Sequence, residues 1–240
     1  MKTGIIIIFL ATLIGKFCTA QNQQVVTTGM SEYKGVQTGG LLLLSQSETA
    51  NTNNADVSGN PFWNEDWKTA ILYTGEQAML VSKVKLNLYT NDVWYTSPDS
   101  VVMIAKKGVV KGITFFKGVD TTHVLANFVY LKNGNDDNRY YQFMNAGKAQ
   151  LVKLNTVTVD KALFDPFSGK AEQKYVAETG YYLYYNAKLT LLKGNNKETF
   201  FTTLQPGDAV KQWTDKNKNR LKSEADILLF LTYFNSQNDN

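Results

Sequence analysis

The chain has 240 residues, with 25 basic and 21 acidic side chains, one histidine, one cysteine and a formal net charge of +4. A near-balanced charge carried almost wholly by lysine argues against a nucleic-acid partner, because Arg139 and Arg220 alone could offer bidentate forks to phosphates and bases. A chain of this length can bury an ordinary hydrophobic core without disulfide or metal staples.

Residues 1–20 have the form of an export leader: a basic start at Lys2, an apolar run over 5–14, then Cys18-Thr19-Ala20. Small residues at Cys18 and Ala20 suit a signal peptidase, and Gln21 would begin the mature chain. The apolar run is about half of the roughly 20 residues that cross a bilayer, which favours a cleaved leader over a membrane anchor. Gly15-Lys16-Phe17 before Cys18 does not suit lipidation. The expected address is therefore the periplasm, the outer membrane as an associated protein, or the exterior, with no transmembrane segment after cleavage. Cleavage removes Lys2 and Lys16, two of the 25 basic residues, leaving 23 against 21 acidic, and it removes Cys18. Disulfides, thiolate nucleophiles and cysteine-ligated metals are then excluded.

Residues 21–60 read as a polar, partly disordered segment rich in Gln, Thr, Ser, Gly and Asn. Its one apolar island, at 41–44, reads as a first strand or as a segment that adds to an exposed sheet edge; the strand reading is preferred. Residues 61–196 form the expected β domain. Phe62, Trp63 and Trp67 stand at its entrance, where aromatics either cap a core or present a platform for sugars; the core reading is preferred. Trp67, Thr69, Ile71 and Tyr73 alternate with Lys68, Ala70, Leu72 and Thr74, and Val84, Leu86 and Leu88 alternate with Lys85 and Asn87. Turn residues follow at Gly75-Glu76, Asn91-Asp92, Ser97-Pro98-Asp99-Ser100 and Lys106-Lys107-Gly108. Short apolar segments so punctuated predict an antiparallel meander over 67–116, because the connections are too short for crossover helices.

Further strands are expected at 123–132, 140–144 and 151–159. Tyr181-Tyr182-Leu183-Tyr184-Tyr185 and 189–192 form a second hairpin resembling the first: each has a double Tyr, a turn opening Asn-Ala and closing with Lys, and an apolar return strand. The period then changes. Residues 197–204 and 208–218 suit short helices, with Ala209, Val210 and Trp213 on one face. Ser223 and Asp226 have capping-box form before the stripe Ile227, Phe230, Leu231, Phe234, which must bury itself, most simply against the sheet. Residues 235–240 are expected to fray. The fold class is thus mainly β (α+β): an antiparallel meander forming a curved sheet, sandwich or partly open barrel, with a helical segment over 197–240 packed on it.

No catalytic, cofactor-binding or metal-binding motif stands out. His123 is the one possible triad histidine, yet no nucleophile elbow accompanies it, so it reads as a loop or strand-start residue. Residues 133–138 offer oxygens for calcium but lack the spacing of a calcium loop. Lys211, Lys216, Lys218, Arg220 and Lys222 form a basic run that could touch an anionic surface and reads more simply as solvated. In 181–185, Tyr181, Leu183 and Tyr185 face one side while Tyr182 and Tyr184 face the other. One face belongs to a core; the second either stacks on a glycan or peptide or lies under the C-terminal helix, and the latter is preferred.

The leader, the Gly59-Asn60-Pro61-Phe62 entry, Trp67, the Tyr-Tyr hairpin and the ending from Asn217-Lys218-Asn219-Arg220 to Tyr233-Phe234-Asn235 together resemble a family of uncharacterised secreted proteins of Gram-negative bacteria. The resemblance covers about residues 59–236. It implies export and this architecture, and carries no assigned activity. The function expected is a non-catalytic binding, structural or assembly role in the cell envelope. Its partner would be an envelope protein or a glycan, with Tyr182, Tyr184 and Trp63 as contact aromatics. The alternative is a hydrolase acting on envelope or extracellular polysaccharide through a pair of carboxylates.

Overall fold

The computed structural model describes residues 36–37, 48–49 and 57–238, except 76, 119–120, 134–136, 161–162, 166–169 and 194–195. The leader, the island at 41–44 and the centre of the 133–138 tip lie outside the described residues.

Short strands β1 (Val36–Gln37), β2 (Glu48–Thr49) and β3 (Val57–Ser58) precede β4 (Lys68–Tyr73), β5 (Ala78–Asn87), β6 (Asp92–Thr96) and β7 (Val102–Ile104). Then come β8 (Gly112–Phe116), β9 (Val124–Asn133), β10 (Asp137–Phe143), β11 (Ala149–Val159), β12 (Leu163–Asp165), β13 (Lys170–Tyr185) and β14 (Lys188–Leu191). Helices α1 (Asn196–Leu204), α2 (Asp208–Lys216) and α3 (Glu224–Asn238) end the chain. The strands make one open sheet, ordered β12-β13-β11-β10-β9-β8-β4-β5-β6-β7-β2, with β1 on β5 and both β14 and β3 on β13. Neighbours are antiparallel except for two-residue parallel contacts of β1 with β5 and β3 with β13.

The meander expected over 67–116 is broken at one place. β4 to β7 follow each other, but β8 returns to pair with β4, setting Phe115 opposite Ala70 and Ile113 opposite Leu72. The reason is burial. Ile113, Phe115 and Phe116 are all buried, on both faces of β8. Beside β4, Phe115 and Ile113 stand next to Ala70 and Leu72 in the first hydrophobic cluster, whereas β7 is three residues long and half-buried throughout.

Three hydrophobic clusters follow. The first packs Leu72, Val84, Leu86, Val93, Ile113, Phe115 and Phe128 together, and reaches Val157 and Tyr175 on the β11–β13 hairpin. Strands β10 and β11 share pairs only at Gln142–Lys153 and Phe143–Val152. Asn91, in the β5–β6 turn, holds the start of β10: its Nδ2 donates to Asn138 O at 2.9 Å, and its Oδ1 accepts from Tyr140 N at 3.3 Å. Tyr89 of the same turn meets Tyr175 edge-on at 5.5 Å.

The second cluster joins the helices to the same side of β11 and β13. Ile227, Phe230, Leu231 and Phe234 of α3 are buried with Phe200, Val210, Ala149, Leu151 and Leu183. The Ser223 cap forms, with Oγ accepting from Asp226 N at 3.1 Å. The buried face of α2 is Val210 and Thr214, with Trp213 stacked on Tyr233 at 4.6 Å, while Ala209, expected on that face, is exposed. A correction also applies to the fraying expected from residue 235. α3 continues to Asn238, and Asn235 is buried. Its Oδ1 accepts from Ala149 N at 2.9 Å, and its Nδ2 donates to Ala146 O at 3.0 Å and Ala149 O at 2.9 Å. The β10–β11 turn supplies those backbone groups, so its polarity fixes the end of the helix rather than loosening it.

Candidate functional site

The third cluster lies on the sheet face away from the helices. β13 alternates strictly here, so Tyr181, Leu183 and Tyr185 meet the helical cluster while Tyr182 and Tyr184 point the other way. The tight turn at Asn186 and Ala187 (φ 49° and 58°) keeps this register, pairing Tyr185 with Lys188 and Tyr182 with Leu191. The corresponding β10–β11 turn is longer, so the two hairpins share sequence features but not turn geometry.

Tyr141, Phe143 and Val152 form the buried floor of this face. Tyr182 packs edge-on against Tyr141 at 5.6 Å, and Tyr184 against Phe143 at 5.4 Å. Half-buried Val129, Leu131, Leu154 and Leu189 surround them, and no helix residue belongs to the cluster. Leu191, two residues beyond Leu189 on the same face, is 41% exposed. Tyr182 and Tyr184 therefore do not lie under the C-terminal helices, and remain half-buried on an aromatic and aliphatic surface. Among the described residues β14 has a strand neighbour on one side, at β13, so this surface ends in a sheet edge. The aliphatic members went unremarked in the sequence; the alternation of Val129 with Tyr130 and of Val152 with Lys153 would have placed them.

Trp63 stands elsewhere. It is half-buried against the first cluster, with its ring 5.0 Å from Phe115 and 5.1 Å from Phe128. Trp63 N donates to Leu86 O at 2.9 Å, which ties the entry segment to β5. Its packing is thus inward, and the structure does not bring it together with Tyr182 and Tyr184. Phe62 and Trp67 lie by Lys85, whose ammonium sits 4.9 Å and 5.2 Å from the two ring centroids.

His123 is exposed just before β9, with Nδ1 2.9 Å from Thr122 Oγ1. Among the described residues no group of three or more His, Cys, Asp or Glu side chains could hold a metal ion. One polar cluster was not foreseen. Glu224, in the first turn of α3, accepts from Tyr181 Oη at 2.9 Å and pairs with Lys153 Nζ at 3.4 Å. Burial and the hydrogen bond to Glu224 push the Tyr181 phenol above its usual range, against the pull of Lys153. The three side chains join the start of α3 to β11 and β13, and tether the helix to the sheet.

No helix among the described residues is long and apolar enough to cross a membrane, which says nothing of strands. Comparisons with protein-family models, with curated proteins and with solved structures find no match.

Proposed function

We propose that this chain is a non-catalytic, exported protein of the cell envelope that assembles with a protein partner through its tyrosine face. The observation that carries the reading is the pair Tyr182 and Tyr184, half-buried beside Leu189 and the exposed Leu191. Tyrosine is enriched at protein interfaces, since the ring gives contact area and the hydroxyl tolerates water before binding. The edge of β14 adjoins the face, which suits a partner that adds an extended segment. The leader supports the export part of the proposal, and so does the family resemblance.

The test is site-specific photo-cross-linking in cells, with the photoreactive residue at position 184 and, as a control, at exposed Lys83. A discrete protein adduct from position 184 that Leu191→Ser abolishes, with unchanged circular dichroism, supports the reading. Adducts of equal yield from both positions, or selective binding to a glycan array with no protein adduct, would overturn it.

A further inference from the structure

The basic run near the C-terminus is not evenly solvated. Lys211 pairs with Asp208 at 3.4 Å and does not line the cleft described next. Lys218, Arg220 and Lys222 instead line one cleft of about 400 Å³ with Lys197 of α1, over Thr214 and Asn219. The sequence run did not include Lys197, because the fold brings it in from another helix.

This arrangement is held by its backbone. Lys218 (φ 49°) and Leu221 (φ 52°) are both left-handed, which turns the chain twice within four residues. Asn219 is buried and holds the loop at three points: its N donates to Thr214 O at 3.0 Å, its Nδ2 to Asp226 O at 2.8 Å, and its Oδ1 accepts from Leu221 N at 2.9 Å. Leu221 is fully buried in the helical cluster. With 219 and 221 directed inward, 218, 220 and 222 are exposed at alternate positions. The one acid in the cleft, Asp215, lies 2.8 Å from Lys197. Among the described residues Lys218, Arg220 and Lys222 form no ion pair.

The geometry points to a binding site for a phosphate group in this cleft, with Arg220 offering its planar fork and Lys218 and Lys222 supplying point charges. A fixed loop that presents cations without a matching acid lowers the ordering cost of capturing a compact oxyanion. The group could belong to free phosphate or to a lipid headgroup, which the same residues would recognise.

Calorimetric titration of the full chain with inorganic phosphate, and co-sedimentation with phosphatidylcholine vesicles with and without phosphatidylglycerol, separate the two sources. The variants are Lys218→Gln/Arg220→Gln and, as an equal-charge control outside the cleft, Lys211→Gln/Lys216→Gln. Loss of two charge-assisted contacts should weaken binding by about tenfold or more in the first variant and little in the second. That pattern with phosphate assigns the free ion, and with anionic vesicles alone a headgroup. No saturable binding to either probe, or equal weakening by both variants, would overturn the assignment. The tyrosine face is untouched by these variants, so the outcome is independent of the proposed assembly role.

Discussion

Replacing Asn235 by alanine tests how the end of α3 is joined to the sheet. Ala146 O and Ala149 O would remain satisfied in that variant, because Asn145 Nδ2 also donates to them, at 2.9 Å and 3.1 Å. Ala149 N would not, since Ala149 is fully buried and Asn235 Oδ1 is its acceptor. Orphaning that donor costs about 1–3 kcal/mol, and the two lost bonds to doubly served carbonyls add about 0.5 kcal/mol each. Alanine returns about 0.5 kcal/mol of helix propensity, so the net loss should be about 1.5–3.5 kcal/mol. For a chain of this size that lowers Tm by roughly 3–14 °C, readable by calorimetry or urea unfolding. Gly147 is part of the same device: it has φ 109°, and a Cβ there would fall 2.5 Å from Asn235 Cγ. Gly147→Ala should therefore destabilise by about 2 kcal/mol, and less so when Asn235 is already alanine, because the two share one contact. An Asn235→Ala loss below about 0.5 kcal/mol would refute the reasoning, since it would mean that water serves Ala149 N equally well.

Phe230 is fully buried between Phe200 (5.5 Å), Phe201 (6.3 Å) and Phe234 (6.3 Å), so Phe230→Ala should cost about 3–5 kcal/mol by urea unfolding. The phenol of Tyr140 is raised chiefly by burial, and that of Tyr181 by burial and then by Glu224. Both keep their protons in the folded state where an unfolded tyrosine, near 10, would lose them. Their contribution to stability is thus full below pH about 10 and is lost as pH rises through the folded pKa. Ultraviolet titration of native protein should show phenols ionising above the ordinary range, fewer by one in Tyr181→Phe; a full complement ionising near 10 in folded protein would contradict this.

Much of the fold is legible in the sequence because strand alternation and helical stripes are local. Val84, Leu86 and Leu88 are buried as their spacing requires, and so are Ile227, Phe230, Leu231 and Phe234. The pairing of β8 with β4 is not local: the same alternation would serve beside β7, and what differs is the buried neighbours Ala70 and Leu72 that β4 offers. Asn235 illustrates a second limit. A polar residue after an apolar stripe reads as a helix end, while its partner Ala149 lies 86 residues away. Lys197 escapes the basic run for the same reason. Tyr182 and Tyr184 could be put on one face from sequence, but which face the helices cover depends on how the chain returns after β14.

The composition of β13 changes along its length in step with what covers it. From Gln173 to Thr179 the residues are exposed except Tyr175, which alone reaches the first cluster. From Tyr181 to Tyr185 every residue is buried or half-buried, because helices lie on one side and the floor of Tyr141 and Phe143 on the other. A sheet face closed by a second layer could use leucine at 182 and 184, as it does at 183. Tyrosine at both places gives each ring an apolar edge for the floor and a hydroxyl for solvent, the combination suited to a surface that is wet before a partner arrives and dry after. Phenylalanine at 182 and 184 would keep the floor contacts while removing the hydroxyls. Stability should then change little in the free chain, and its solubility should fall.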